Sequence, residues 1–213
     1  MSKYKTVIYN ANLITMDDEN KVIDNGYLVF VDGLIHALGT GAPEMDDYTD
    51  SIDANGGLVT PGLINCHTHA PMSLFRGLGD DEPDRLKRFI FPLEAKYVSP
   101  EFVRTGTALS CVEMLLGGTT CFADMYFFEE EVAATASELG IRVLAGQTLM
   151  NGATPDAATI EDAFTRAVNF CEDWNSDDLV TPCLAPHAPY SLDTKQLKHV
   201  KNVANNLGVK IQM

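Results

Sequence analysis

His67-Thr68-His69 is the sharpest chemical feature of the sequence. Residues two apart on a β-strand point to the same face, so on a strand these two imidazoles converge. Two convergent imidazoles can ligate one metal ion at about 2.0–2.1 Å each. Two histidines at this spacing also occur on loops by chance. The context favours the strand: Leu63-Ile64 leads in after Pro61-Gly62, and Pro71 closes the run. If the strand belongs to a barrel, its C-terminal end is where such enzymes keep their active sites. His187 is the second candidate, in Ala185-Pro186-His187-Ala188-Pro189-Tyr190 directly after an apolar strand. A histidine between prolines at a strand tip is a poor core filler. Glu94, in Phe91-Pro92-Leu93-Glu94-Ala95, reads by itself as a solvated helix residue. Asp124 suits a supporting hydrogen bond or a turn, and His36 and His199 read as solvated surface.

The elements that must position these residues fall into two kinds. Residues 1–57 read as short strands and tight turns, with Asn25-Gly26 and Asp32-Gly33 as hairpin signals flanking Tyr27-Leu28-Val29-Phe30-Val31. An acidic, turn-rich stretch from Glu44 to Asp50 precedes Ser51-Ile52-Asp53. This β module is too short for a comfortable core of its own. From residue 58 the pattern changes. A long segment rich in proline and glycine follows His69, with one short helix expected around Asp84 to Ile90. Ser99-Pro100-Glu101 then opens a helix that runs to Leu116. Strands at 119–124, 141–145, 179–184 and 209–213 alternate with helices at 129–139, 160–174 and 197–207. Strand–helix alternation predicts an α/β fold with a parallel sheet, either doubly wound or a (β/α) barrel. No G-x-G-x-x-G follows the first strand, which removes the dinucleotide-binding version. The count reaches about the first five strands of a TIM-like barrel, so the chain reads as a partial barrel over 58–213.

Composition narrows the function classes. The 213 residues carry 15 Lys+Arg against 30 Asp+Glu, a formal charge of −15 that disfavours nucleic acid and anionic membrane as partners. Hydrophobic content of 46% and charged content of 21% are those of a folded domain. No apolar run spans a bilayer and the N-terminus lacks a signal-peptide stretch, so a soluble, cytoplasmic protein is expected. Of five scattered cysteines without a C-x-x-C pair, most read as small buried hydrophobes, and a disulfide framework or a zinc knuckle is poorly supported.

The string Pro61-Gly62-Leu63-Ile64-Asn65-Cys66-His67-Thr68-His69 resembles the first metal-binding strand of the amidohydrolase superfamily, in its deaminase and chlorohydrolase branch. Ala70-Pro71-Met72-Ser73-Leu74-Phe75-Arg76-Gly77 resembles the loop that follows it, and Val7-Ile8-Tyr9-Asn10-Ala11 with Asn25-Gly26-Tyr27 resembles the branch's N-terminal β-sandwich segment. Within the branch the 5-methylthioadenosine/S-adenosylhomocysteine deaminases fit best, over their N-terminal half. The resemblance implies hydrolytic deamination of an adenosine-type nucleoside with one divalent ion, zinc first and iron or nickel as alternatives. It assigns His67 and His69 to the metal, Glu94 to the ribose hydroxyls and His187 to a purine ring nitrogen. It also implies that the remaining ligands and the proton-shuttling carboxylate lie beyond Met213, so the isolated chain is expected to bind metal weakly and to be inactive. Related deaminases carry an arginine for the S-adenosylhomocysteine carboxylate where this chain has Gln147, which favours a neutral substrate. Two alternatives stand: a guanine, cytosine or triazine-directed amidohydrolase, and a non-catalytic fragment that self-associates through open β edges. A homo-oligomer is compatible with any of these.

Overall fold

The computed structural model describes residues 4–43 and 48–213, so residues 44–47 of the acidic stretch lie outside the described residues. The chain divides into two compact units, Met1–Gly62 and Leu63–Met213.

The first unit is built on strands β1 (Lys5–Ile14), β2 (Val22–Val31), β3 (Leu34–Thr40), β4 (Asp50–Asp53) and β5 (Leu58–Val59). They form one sheet in the order β3-β2-β1-β4, with β5 also on β1. β1, β2 and β3 are antiparallel neighbours, while β4 and β5 run parallel to β1. Asp32-Gly33 makes the expected two-residue turn: Val31 pairs with Leu34, and both turn residues are left-handed, at φ 51° and 81°. Asn25-Gly26 does not turn the chain. It lies inside β2, where Asn25 takes φ 49° opposite register shifts in β1 on either side of Ala11. The same tolerance for left-handed backbone serves a bulge here instead of a hairpin. The β1–β2 turn falls at 15–21, where Asp17 accepts from the amides of Glu19 and Lys21.

The second unit carries β6 (Leu63–Thr68), β7 (Thr119–Tyr126), β8 (Arg142–Leu149), β9 (Val180–Pro186) and β10 (Lys210–Ile211). All neighbours are parallel and the order β10-β9-β8-β7-β6 follows the sequence without reversal. The strands β7, β8 and β9 run on past the expected ends to Tyr126, Leu149 and Pro186, which carries their C-terminal side chains to the candidate site. Between them lie α2 (Pro100–Leu116), α3 (Glu129–Leu139), α4 (Ile160–Trp174) and α5 (Thr194–Leu207). Their limits have local causes. Ser99 accepts from the Phe102 amide at 3.2 Å to start α2, and Gly140 at φ 76° ends α3. Reciprocal capping boxes, Thr159 with Asp162 and Asp193 with Gln196, open α4 and α5. Phe122, Ile141, Val143, Leu149 and Leu184 meet Val132, Ala136, Ala163 and Val200 in the core between sheet and helices. Each large apolar side chain buried there contributes about 1.5–3 kcal/mol. Among the described residues no helix is long and apolar enough to cross a membrane.

The segment after β6 departs from expectation. It begins with a 3-10 stretch over Ala70–Phe75, and the expected helix near Asp84 to Ile90 is a π-type turn over Leu86–Ile90. That turn leads into α1 (Phe91–Tyr97). Pro92 does not break α1, because it sits in the first turn, where a missing N–H costs nothing. The 3-10 stretch is clasped to α2: Ser110 Oγ donates to the Ala70 carbonyl at 2.8 Å, and Ser73 Oγ donates to the Gly106 carbonyl at 3.0 Å. Such contact requires a residue without a side chain on α2. A Cβ on Gly106 would lie 2.4 Å from the Pro71 carbonyl oxygen and 2.8 Å from its Cα. Backbone cannot rotate away, so Gly106→Ala is expected to cost about 3 kcal/mol, at the upper end of overpacking penalties, measured by chemical denaturation. An unchanged midpoint would refute this close fit.

Candidate active site

β6 delivers His67 and His69 with their rings 5.1 Å apart between centroids, one edge-on to the other. His67 is exposed and His69 half-buried. The His69 ring is oriented from behind: its Nδ1 lies 2.7 Å from the Met125 carbonyl on β7. A carbonyl only accepts, so Nδ1 carries a proton and Nε2 is the nitrogen left to ligate a metal. Thr68, on the other face of β6, donates from its hydroxyl to Asp124 Oδ1, and the Ala70 amide donates to the same oxygen at 2.6 Å. Asp124 therefore pins the backbone on both sides of His69, and its role is the supporting bond rather than the turn.

Asp124 and Glu129 are both fully buried, and each keeps one oxygen without a hydrogen-bond partner among the described residues. Glu129 accepts from the Gly146 amide at 3.1 Å. Burial pushes both carboxyls above their ordinary range, and the charge of Asp124 drives Glu129 further. Sealed from solvent, the pair braces β6, β7 and β8.

Glu94 is not the solvated residue its helix alone suggested; it is 7% exposed. Tyr126 at the end of β7 donates its hydroxyl to Glu94 Oε1 at 2.9 Å. Burial pushes the Glu94 carboxyl up, against the lowering effect of that bond and of His69. His187, directly after β9, is half-buried, with Nδ1 3.3 Å from Ser191 Oγ and its ring edge-on to Tyr190. Burial, aided by His69, holds its imidazole below the ordinary value, so it is neutral near pH 7.

His69, Glu94 and His187 come from three separate segments and line one cavity of about 110 Å³, walled by Met72, Ile90, Phe91 and Phe127 among others. His67 is not among the residues that line it; its ring meets that of His69. Gln147 is elsewhere. It is fully buried, its Oε1 accepts from the Glu129 amide at 3.3 Å and its Nε2 donates to Asp156 at 2.8 Å. Thr148, one residue on, faces the cavity instead, since alternate residues of a strand face opposite sides. Tyr126, Thr148 and Met150 were not legible as site residues; the only signal was their place at the C-terminal tips of parallel strands. His36 and His199 are exposed, His199 against Phe164. Cys111, Cys171 and Cys183 are buried, Cys66 is exposed, and all five cysteines are free.

The donor set fits part of a metal site. His67 and His69 are nitrogen donors on one strand, but among the described residues no cluster of three or more His, Cys, Asp or Glu could hold an ion. Two histidines leave a zinc ion short of the three protein ligands a catalytic site uses.

The parallel sheet keeps sequential order and carries paired histidines at the tip of its first strand. The chain belongs to the amidohydrolase family, whose model matches residues 58–213. It is 43% identical to the 5-methylthioadenosine/S-adenosylhomocysteine deaminase of Thermodesulfovibrio yellowstonii, over 98% of this chain and 50% of that protein. A solved structure of an adenosine deaminase from Xanthomonas campestris with bound zinc superposes with a TM-score of 0.85 at 32% identity, over 98% of this chain and 48% of that one. Guanine deaminase of C. acetobutylicum shares the fold, with a TM-score of 0.85 at 19% identity, over 98% of this chain and 52% of that one. The chain spans about half the length of the relatives it matches.

Proposed function

We propose that this chain forms the N-terminal half of a metal-dependent hydrolytic deaminase of adenosine-type nucleosides. The second unit would be an arc of a closed (β/α) barrel, since a doubly wound sheet reverses its strand order and this one does not. The first unit would be one layer of a small β-sandwich, and the protein a cytoplasmic one. The observation that carries the functional reading is the meeting of His69, Glu94 and His187 at one cavity.

His67 and His69 would hold the ion, zinc first. When bound, it supplies Lewis acidity that makes water a usable nucleophile at neutral pH. His69 presents Nε2 because Met125 holds its Nδ1 proton. His187 hydrogen-bonds a purine ring nitrogen. Glu94, steered by Tyr126, accepts the two ribose hydroxyls, each of which can donate one bond. Met72, Ile90 and Phe127 exclude bulk water around the base. Glu94 is committed to the sugar, and Asp124 and Glu129 are sealed in. The carboxylate that moves the proton and the remaining ligands would come from the part of the relatives' length that this chain does not span.

Ammonia release from adenosine and methylthioadenosine by the full-length, zinc-loaded protein tests the reading, beside isothermal titration of zinc into the 213-residue chain. Turnover by the former and weak zinc binding without turnover by the latter are expected. Robust catalysis by the 213-residue chain alone would overturn the division of the site.

A further inference from the structure

Phe128 joins β7 to α3 in a left-handed conformation, at φ 53° and ψ 47°. That backbone is unfavourable for a bulky aromatic residue, because Cβ crowds the following carbonyl. It persists only where the surroundings fix it, and such strain gathers at functional sites. Here the fixing group is Asp156, from the segment after β8. Its side chain is 1% exposed, and its Oδ2 accepts from the Phe128 amide at 2.8 Å and from Gln147 Nε2 at 2.8 Å. Thr154 Oγ1 donates to Oδ1 at 2.8 Å, and Arg166 of α4 brings Nε to 3.4 Å from Oδ2. The Arg166 guanidinium also lies over the Phe128 ring, 5.2 Å from its centroid. One buried carboxylate thus ties together the β7–α3 junction, β8, its own segment and α4.

Asp156 and Phe128 are not among the residues that line the cavity of His69, Glu94 and His187, yet Tyr126 and Phe127, directly before the strained turn, are. We propose that Asp156 is a positioning residue for the nucleoside: by holding Phe128 left-handed, it sets the end of β7 so that the Tyr126 hydroxyl meets Glu94. The inference deepens the nucleoside reading above and rests on it. Tyr126 is the last residue of β7 and pairs with Gln147, whose side chain Asp156 also holds. Its hydroxyl, 2.9 Å from Glu94 Oε1, steers the carboxylate that takes the ribose. If Phe128 relaxes to an ordinary backbone, the chain direction after Tyr126 changes and that bond loosens. Met125, which orients His69, is secured separately by its pairing with Gly146, so the metal histidines stay in place. The consequence is a defect in sugar binding without a defect in metal binding.

Amide hydrogen exchange and steady-state kinetics of the full-length, zinc-loaded protein test this. In the wild type the Phe128 amide should exchange at least about 100-fold more slowly than an open amide, although amides at a helix start lack intrahelical partners. Asp156→Ala should raise the adenosine KM about 10-fold, the effect of loosening a bond to a charged acceptor. Its kcat, its zinc content and the Ki of adenine, which has no ribose, should each change by less than about 3-fold. Asp156→Asn keeps an oxygen for the Phe128 amide and should return the KM to within about 3-fold of wild type. On a Phe128→Gly background a left-handed turn needs no anchor, so Asp156→Ala should raise the KM there by no more than about 3-fold. Unprotected exchange of the Phe128 amide in the wild type would overturn the proposal even if no variant folds. An unchanged adenosine KM in Asp156→Ala, equal losses for adenosine and adenine, or the same loss on the glycine background would overturn the positioning role alone. No deamination of adenosine by the wild type would overturn the nucleoside reading itself, and this role with it.

Discussion

His69→Ala in the full-length protein is expected to empty the metal site and to abolish deamination. The loss should exceed the roughly 10–100-fold that removal of an outer partner of a metal ligand costs, because here the ligand itself goes. The argument is geometric. His69 is the better prepared of the pair: its ring is held at 2.7 Å by the Met125 carbonyl, and its backbone is pinned on both sides through Thr68, Ala70 and Asp124. His67 is exposed and must be ordered when the ion binds. His67→Ala should therefore retain more zinc than His69→Ala, as read by metal content after dialysis. A His69→Ala protein that keeps one equivalent of zinc would remove His69 from the ligand set.

The parts of this architecture visible in the sequence are those with local causes. α3 and α4 begin and end where expected, because Gly140 must go left-handed and Thr159 and Asp162 satisfy each other's amides. The His67–His69 pair is visible because strand geometry converts a spacing of two into a shared direction. What escaped depends on distant partners. Glu94 sits on a seven-residue helix too short to show a buried face, and its burial is decided by Tyr126, 32 residues away. Gln147 and Thr148 differ by one position, yet only the register of β8 against β7 and β9 decides which one meets the cavity. Asn25-Gly26 had the chemistry of a turn, but its pairing with β1 makes it a bulge. Local chemistry names what a residue can do, and non-local packing chooses among the options.

That division gives Glu94 its diagnostic value, because the role proposed for it depends on the substrate having a vicinal diol. Glu94→Ala is expected to raise KM for nucleosides by roughly 100-fold, or about 3 kcal/mol, the sum of two hydrogen bonds to a charged acceptor. Free bases have no hydroxyls to lose, so their KM should barely change, and kcat for either class should fall far less than KM rises. Glu94→Gln keeps one acceptor oxygen and should recover part of the nucleoside affinity while leaving free bases unchanged, and it is that difference between substrates that a merely structural role would not explain. The pH dependence carries the same signature. Only the ionised carboxyl accepts from both hydroxyls, and burial holds Glu94 above its ordinary value despite Tyr126 and His69. Nucleoside KM should therefore rise as pH falls through that raised value, and Glu94→Gln should flatten the rise. Parallel losses for guanine and adenosine in Glu94→Ala would turn the reading toward a deaminase or dehalogenase of free heteroaromatic rings, in which Glu94 supports the cavity rather than the sugar.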